Sequence, residues 1–328
     1  MKKLLLATAI AALSVSAAQA APTVYGKAFV TMDYVDAENT TANTDTDSLQ
    51  VNSHFSRLGF KGSEAMTENT DVVYQLEYQI DIDNDRVDAK GDSLYFTNRD
   101  TYLGLKNDTY GEFRFGHQHS SAQWVNNVLV GKGYYDNQGS LMADSKRIDS
   151  SVLWRAPKVE GIPVQVTAMY GASESDSNDG YGIAGMYDAG TGFTAGLSYD
   201  KDLNIEKGGD IMRGTATVDL GKYMAAPIKL GALYQVADFD ATSEDEKGLM
   251  VSGEMGLTNF AKPASVYAQY IKTSDKGGVA NADADQILIG GTYKYQPNMI
   301  AHAYAGTSSI DSSNTDTVVV GGGLEYLF

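Results

Sequence analysis

The chain of 328 residues contains no cysteine and only four histidines. The absence of cysteine excludes disulfide frameworks, cysteine-based zinc sites and thiol nucleophiles, and four histidines leave little from which to build a metal centre. Positive charge is also scarce, because 25 Lys and Arg stand against 42 Asp and Glu. A formal net charge of -17 argues against a protein that gathers phosphate backbones. We therefore expect no nucleic-acid partner, no metal and no cofactor.

Long apolar runs are missing after residue 20, so no later segment approaches the roughly 18 apolar residues that a membrane helix needs. The first twenty residues differ. Two lysines precede an apolar stretch at residues 4–15, and the small-residue run Ala18-Gln19-Ala20 follows it. This three-part layout predicts a cleaved signal peptide over residues 1–20, although a short membrane anchor is the alternative. The full chain has a formal charge of -17. The mature chain, residues 21–328, lacks the two lysines and has a formal charge of -19.

The mature chain is rich in alternation, since apolar residues recur at every second position in segments of about ten. The clearest cases lie at residues 72–83, 228–236 and 286–295. Such a strand has one apolar and one polar face. Alternation alone also fits a soluble β-sandwich, whose outward face is polar.

The number of segments and the lengths of their connections distinguish these architectures. Long polar stretches such as 36–50 and 119–147 follow the odd-numbered segments, tight links such as 107–110 and 189–191 follow most even-numbered ones, and 62–69 is the one longer exception. The segments are residues 23–35, 51–61, 70–83, 99–106, 111–118, 148–156, 163–171, 179–188, 192–200, 209–220, 227–237, 247–257, 263–272, 285–295, 298–308 and 316–328.

This alternation of loop lengths places all long loops at one end of an up-and-down meander, as in outer-membrane barrels. Lipid cannot satisfy the free N–H and C=O groups of an edge strand, so the sheet must close. The sequence therefore predicts an all-β fold, a 16-stranded antiparallel transmembrane β-barrel, whose lumen is wide enough for water. The 21 Tyr, 10 Phe and 2 Trp suit the aromatic girdles of such a barrel.

Several ordered sequence motifs resemble those of the Gram-negative general diffusion porins of the neisserial and beta-proteobacterial type, over essentially the whole mature chain. The motifs are VYGK at 24–27, SRLGFKG at 56–62, YLGLK at 102–106, YGEFRFGHQ at 110–118, RIDSSVLW at 147–154 and the terminal Phe328. The resemblance implies a homotrimer in the outer membrane of a Gram-negative bacterium, in contact with lipid and lipopolysaccharide. It further implies passive diffusion of ions and small hydrophilic solutes without enzymatic activity, and a barrel-assembly role for Phe328.

The third outside loop of that family folds into the barrel and narrows the pore, which implies a constriction loop at residues 119–147, packed against the wall by Trp124, Val125, Val128 and Leu129. Strand parity turns several charged side chains toward the lumen: Arg57, Glu77, Arg114, Arg147 and Arg155. The resemblance adds Arg99 to this wall, but Arg99 shares the parity of apolar Leu103 and Leu105 and so requires a bulge or a position above the membrane. Asp136 and Asp144 are the acids expected on the loop.

His117 stands where the family often has an arginine, so we expect it at the constriction with one permanent cation fewer. Together with the acidic chain, this predicts a weak cation preference or near neutrality. An alternative is a channel selective for sugars or organic acids, with an aromatic track of Trp124, Tyr134 and Tyr135. Remote alternatives are a barrel enzyme or an adhesin, since no paired His and Asp can be identified from the sequence.

Overall fold

The structure is a computed structural model that describes residues 21–39, 41–83, 86–87, 93–94, 96–136, 138–173, 179–204 and 208–328. The predicted signal peptide at 1–20 lies outside the described residues. No helix in the described part of the chain is long and apolar enough to span a membrane.

The described residues form nineteen strands and several short 3-10 helices. The strands are β1 (Thr23–Asn39), β2 (Thr44–Ser53), β3 (Arg57–Thr67), β4 (Thr70–Gln79), β5 (Arg86–Val87), β6 (Ser93–Leu94), β7 (Thr97–Asn107), β8 (Gly111–His119), β9 (Arg147–Arg155), β10 (Val164–Gly171), β11 (Gly180–Asp188), β12 (Phe193–Lys201), β13 (Gly209–Asp219), β14 (Ile228–Phe239), β15 (Glu246–Leu257), β16 (Ala264–Ser274), β17 (Ala284–Gln296), β18 (Met299–Ile310) and β19 (Thr315–Leu327). Short 3-10 helices lie at Ser121–Val125, Gly133–Tyr135, Gln138–Ser140, Leu220–Lys222, Lys276–Gly278 and Asp311–Ser313.

The strands form a closed antiparallel barrel with sixteen wall positions. Seventeen strands belong to one sheet, and β2 and β3 share a single wall position because both pair with β1 across a break at residues 54–56. Strand β19 pairs with β1 and closes the wall. At the seam the Gly26 amide donates to the Phe328 carbonyl over 2.8 Å, and the Phe328 amide donates back over 3.2 Å. The predicted 16-stranded barrel is confirmed.

The two faces of the wall differ as the alternation predicts. On β1, Thr31 and Asp33 are buried toward the interior, whereas Met32 and Tyr34 are exposed on the outside. The same outward exposure is found for large apolar residues around the barrel, including Leu103, Phe115, Ile183, Leu197, Met212, Ile289 and Leu324. An outer surface of this kind is stable against hydrocarbon rather than water.

Two predicted connections are shorter than expected. The loop predicted at 36–50 is largely strand, because β1 continues to Asn39 and β2 begins at Thr44, and they pair over this whole stretch. The link predicted at 62–69 is likewise mostly strand, since β3 continues to Thr67. Backbone pairing goes on where the strands leave the apolar layer, whereas the hydrophobic period that reveals a strand in the sequence ends there.

Candidate pore constriction

The segment between β8 and β9, residues 120–146, folds into the barrel and is termed the constriction loop. Its apolar side chains pack against one side of the inner wall: Val128, Leu141 and Met142 form a buried cluster with Leu233 and Met250 of that wall. A second cluster joins Tyr135 of the loop to wall residues Val35, Tyr267, Leu288, Tyr304 and Val319. Both clusters therefore lie at the contact between this loop and the wall.

Polar side chains of the wall also satisfy the backbone of the constriction loop. The side-chain oxygen of Gln269, Oε1, accepts from the backbone amides of Val130 and Gly131 over 3.0 and 3.1 Å. The hydroxyls of Thr215 and Ser252 donate to loop carbonyls over 2.9 and 2.6 Å. Since buried backbone groups need partners, these bonds fix the path of the loop across the lumen.

A cavity of about 760 Å³ lies between the constriction loop and the opposite wall, and we term it the constriction cavity. Its charged lining comprises the basic residues Lys27, Arg57, Arg99, Lys146, Arg147 and Lys276 and the acidic residues Asp136, Asp144 and Glu246. Most of the basic residues lie on the wall, whereas Asp136 and Asp144 lie on the loop. Solutes that pass through the barrel thus meet charges of opposite sign on facing sides.

Glu77 forms ion pairs with two of the arginines that line the cavity, Arg57 and Arg99. Its carboxylate accepts from Arg99 Nε over 2.6 Å, lies 3.4 Å from Arg57 Nε and accepts from the Tyr25 hydroxyl over 3.0 Å. The carboxylate is nearly inaccessible to solvent. Both arginines use Nε for this contact, and Nη1 of Arg99 also donates to the side-chain oxygen of Gln79 over 3.4 Å. Both side chains line the cavity.

A bulge explains how Arg99 reaches the lumen. The pairing of β4 with β7 shifts register between Leu76 and Tyr78, opposite Arg99 and Asp100. The extra residue lets both side chains turn inward, because a bulge breaks the strict alternation of a strand. Asp100 then binds Arg147 Nε over 3.0 Å and His119 Nδ1 over 3.1 Å.

Arg114 and Arg155 lie beside the cavity rather than on it. Their guanidinium groups sit 5.4 and 5.0 Å from the ring of Trp124, so the indole is held between them. Arg114 also binds Glu112 over 2.7 Å and lines an adjoining recess of about 390 Å³. Arg155 lines neither space, and both arginines contact Trp124 in the first turn of the constriction loop.

The structure places His117 away from the constriction cavity, which corrects the expectation for this residue. His117 lines neither the cavity nor the adjoining recess, and its Nδ1 lies 2.6 Å from the carboxylate of Asp149, which is largely exposed. The neighbouring His119 lines the cavity instead. The pairing of β8 with β9 shifts register between Gly116 and Gln118, at His117 itself, so strand parity does not predict which of these two histidines reaches the cavity.

Asp136 and Asp144 differ in their surroundings. Burial raises the pKa of the Asp136 carboxyl above its ordinary value, although the positive charges of Lys132 and Lys27 oppose that shift. Asp144 accepts from Arg213 over 2.9 Å. The sequence pointed to neither Arg213 nor the lining residues Lys27, His119, Glu246 and Lys276. Of these, Lys27 shares parity with the polar Thr31 and Asp33, a signal that was present in the sequence.

Comparisons with known proteins agree with this architecture. Residues 6–315 match the family model described as Gram-negative porin. Porin-like protein L of Photobacterium profundum is 24% identical, over 97% of this chain and 95% of that protein. Major outer membrane protein P.IB of Neisseria meningitidis serogroup B is also 24% identical, over 99% and 98%.

Solved structures share the fold. The anion-selective porin from Comamonas acidovorans has a TM-score of 0.71 at 16% identity, covering 94% of this chain and all of that one. Salmonella typhi OmpF gives 0.69 at 18% identity, covering 94% and 97%. With a closed sixteen-stranded wall, an inward-folded loop and a family match over most of its length, the chain belongs to the Gram-negative porins, channels for passive diffusion in the outer membrane.

Proposed function

We propose that ions and small hydrophilic solutes cross the barrel through the constriction cavity, and that its lining sets which of them pass most easily. The observation that carries this proposal is the open space of about 760 Å³ between the basic wall and the acidic constriction loop. Arg57, Arg99, Arg147, Asp136 and Asp144 act there directly on the solute. Arg114 and Arg155 act through Trp124, and Glu77 acts through the two arginines that it binds.

The charge of this lining favours anions slightly. Six Lys and Arg line the cavity against three Asp and Glu. The adjoining recess adds Arg114, Glu77 and Asp100, which makes seven basic against five acidic groups. Because charges close to the solute act in a passage with little screening water, we propose a weak anion preference wherever the acidic exterior is screened.

A sugar-selective channel is not favoured, because its aromatic track does not face the cavity. Tyr135 is buried between loop and wall, Tyr134 packs against the same cluster, and Trp124 is held between two arginines. The aromatic rings that line the constriction cavity are Phe55 and Phe239 instead. The walls therefore offer charged and polar groups rather than a continuous stacking surface.

We propose that the barrel has no enzymatic activity, although each histidine has a carboxylate partner. The arrangement that most resembles a catalytic triad is His54 with Thr31 and Asp33. His54 Nε2 lies 2.6 Å from the Thr31 hydroxyl and 3.6 Å from the Asp33 carboxylate, so one ring nitrogen faces both groups. A triad needs the base and its orienting acid on opposite nitrogens, and Thr31 is 2% exposed and out of reach of a substrate.

Three further properties extend the proposal. We propose export by the signal peptide at 1–20, assembly as a homotrimer, and contact of the apolar outer face with outer-membrane lipid and lipopolysaccharide. An oligomer agrees with the similarity to Vibrio cholerae OmpT, for which a trimer form is solved, with a TM-score of 0.66 at 16% identity. Phe328 is proposed to contribute to assembly, since its backbone closes the barrel seam.

The selectivity proposal is tested in planar bilayers by the reversal potential across a KCl gradient at high salt. Glu77→Gln removes a negative charge from behind Arg57 and Arg99, so the channel becomes more anion-selective. Glu64→Gln is the matched control, because Glu64 is exposed near the end of β3 and lines neither the cavity nor the recess. Absence of conductance from folded wild-type protein contradicts the channel, and equal reversal potentials for wild type and Glu77→Gln contradict the assignment of its selectivity.

A further inference from the structure

The largest fully buried side chain of the described residues is Arg213 on β13, which is 0% exposed and lies behind the constriction loop. It is separated from the path of solutes and lines neither the constriction cavity nor the adjoining recess. Burial of a guanidinium is costly unless its charge and its donors are matched by partners. Its contacts therefore indicate what the residue does.

Arg213 joins the two ends of the constriction loop. One terminal nitrogen, Nη1, donates to the carbonyl of Ala122 near the start of the loop, and the other, Nη2, donates to the carbonyl of Ala143 near its end, each over 3.4 Å. Nε and Nη2 also donate to the side-chain oxygen of Gln235, over 3.0 and 2.8 Å. One side chain thus reaches both points where the loop leaves and returns to the wall.

Side chains on neighbouring strands also form hydrogen bonds with the same two alanines. The Ala122 amide donates to Asp200 on β12 over 3.0 Å, and the Ala143 amide donates to Glu246 on β15 over 2.6 Å. The side-chain amide of Gln235 on β14 donates to the Ala143 carbonyl over 2.6 Å. Four adjacent strands, β12 to β15, therefore present a row of buried polar groups that satisfies both backbone groups of each alanine.

This row is linked to the constriction cavity through one acid. The Nη2 of Arg213 lies 2.9 Å from the Asp144 carboxylate, which is the carboxylate paired with Arg213 among the described residues. Asp144 lines the cavity and is partly exposed. The position of its charge relative to the basic wall thus depends on a cation that solutes do not contact.

We propose that Arg213 is a positioning residue for ion selectivity, which holds Asp144 at the constriction cavity by closing the constriction loop at Ala122 and Ala143. The inference rests on the proposed role of the cavity lining in selectivity. It assigns the placement of an acid at the constriction to a buried arginine on the opposite side of the loop.

The test is a double-mutant cycle read by reversal potential. In Arg213→Met, Asp144 loses the cation that is paired with it and keeps only its bonds from Ser145. Its negative charge is then no longer neutralised, so the cation-to-anion permeability ratio rises by about twofold or more. The same substitution in an Asp144→Asn background gives at most half of that change on a logarithmic scale. If Arg213→Met acts only by removing a positive charge, the permeability ratio changes equally in the wild-type and Asp144→Asn backgrounds. That result overturns the proposal.

A matched control separates positioning from general support of the loop. Thr215 on the same strand is also buried and donates to the loop carbonyl of Val125 over 2.9 Å, but it contacts no charged group of the cavity. Thr215→Val removes this anchor and leaves the reversal potential at the wild-type value. A shift equal to that of Arg213→Met shows that any loosened loop changes selectivity, and this also overturns the proposal.

Arg213→Lys keeps the measurement available if Arg213→Met does not assemble. Lysine preserves the charge but has one terminal nitrogen, so it cannot reach both alanine carbonyls and Asp144 together. We expect a smaller shift in the same direction and a greater open-channel current noise, both reduced in the Asp144→Asn background. A Lys variant with wild-type selectivity and noise refutes the positioning role, whereas a non-conducting wild type refutes the proposed function instead.

Discussion

At the scale of single residues, the charges of the constriction cavity are set in place by partners behind them. Glu77 fixes Arg57 and Arg99, and Asp100 fixes Arg147. A carboxylate held by two guanidinium groups keeps those groups in a narrow range of positions, because charge-assisted bonds are short and directional. Substitution of a supporting residue is therefore expected to change conduction as strongly as substitution of a lining residue.

Asp136 gives a prediction for pH dependence. Burial raises the pKa of its carboxyl above the ordinary value of 3.8, and the charged or titratable groups that face it are Lys132, Lys27, His54 and Glu325. Below this raised pKa the carboxyl is neutral, so wild type and Asp136→Asn have equal reversal potentials. Above it only the wild type carries the charge, and its cation permeability becomes the greater. We expect the two curves to separate at a pH clearly above 3.8 in a titration of reversal potential.

The control for this titration is Asp311→Asn, because Asp311 lies in an exposed outer turn. Its curve should follow that of the wild type throughout when salt screens exposed charges. If the wild-type and Asp136→Asn curves already differ at pH 3.8, the Asp136 carboxyl is charged at that pH and its pKa is not raised.

At the scale of elements, the constriction loop is held by packing and by a left-handed turn that has room only for glycine. Gly133 lies at the loop tip with a φ of 63°, and a Cβ built there would collide with the ring of Tyr304. The Tyr304 hydroxyl in turn accepts from the Tyr134 amide over 3.0 Å. A left-handed glycine is therefore required at the point where the loop touches β18.

We predict that Gly133→Ala destabilises the loop more than backbone strain alone explains. Gly190, with a φ of 72° and no atoms within 4 Å of a built Cβ, is the matched control. Gly190→Ala should cost about 1–2 kcal/mol from the left-handed conformation alone. Gly133→Ala should cost more and should also alter single-channel conductance, as measured by denaturant unfolding and bilayer recording. Equal costs and unchanged conductance contradict a packed loop tip.

At the scale of the whole molecule, two sets of charges act on permeating ions over different distances. The chain carries a formal charge of -17, and its acidic groups outnumber its basic ones, whereas basic groups predominate in the constriction cavity. Charges farther away are screened by salt over a Debye length of about 30 Å at 0.01 M and about 3 Å at 1 M. Charges in the narrow passage stay close to the ion at every salt concentration.

We therefore predict that selectivity depends on salt. At about 0.01 M KCl the acidic exterior concentrates cations at the mouth and the channel prefers cations. At about 1 M the constriction cavity dominates and the preference shifts toward anions. Reversal potentials measured at a fixed concentration ratio over this range check the prediction. A preference that is the same at all concentrations contradicts the separation of the two charge sets.

Barrel closure gives a second prediction at this scale. Removal of Phe328 deletes both backbone bonds to Gly26 at the seam between β1 and β19. Open edges are not tolerated in lipid, so the yield of folded barrel in the outer membrane should fall severalfold, measured by heat-dependent gel mobility. Phe328→Ala keeps the backbone bonds and isolates the contribution of the aromatic ring. Wild-type yield from the truncated chain excludes a role for these two bonds, because the pairing of Lys27–Asn39 with β19 remains.

Some of the constriction was predictable from strand parity and some was not. Parity turns Arg57 and Glu77 inward, and the pairing of β3 with β4 is regular at those positions. Arg57 lines the cavity and Glu77 the adjoining recess. Arg99 required a bulge, and parity could only state that requirement. His117 was assigned by resemblance. It has the same parity as His119, which lines the cavity, and the register shift at His117 separates the two. Arg213 lies inward by parity, but its contacts depend on the constriction loop, which is far away in the sequence.

The sequence by itself determined the class of the molecule. Its period-two alternation, the sixteen segments and the paired loop lengths predict a closed barrel in a membrane, because a strand in lipid must present one apolar face and have both edges paired. The tertiary structure decided the lining of the pore. Contacts between segments distant in the sequence produce the bulge at Arg99, the path of the constriction loop and the ion pair of Arg213 with Asp144. Alternation along one strand carries no information about such contacts.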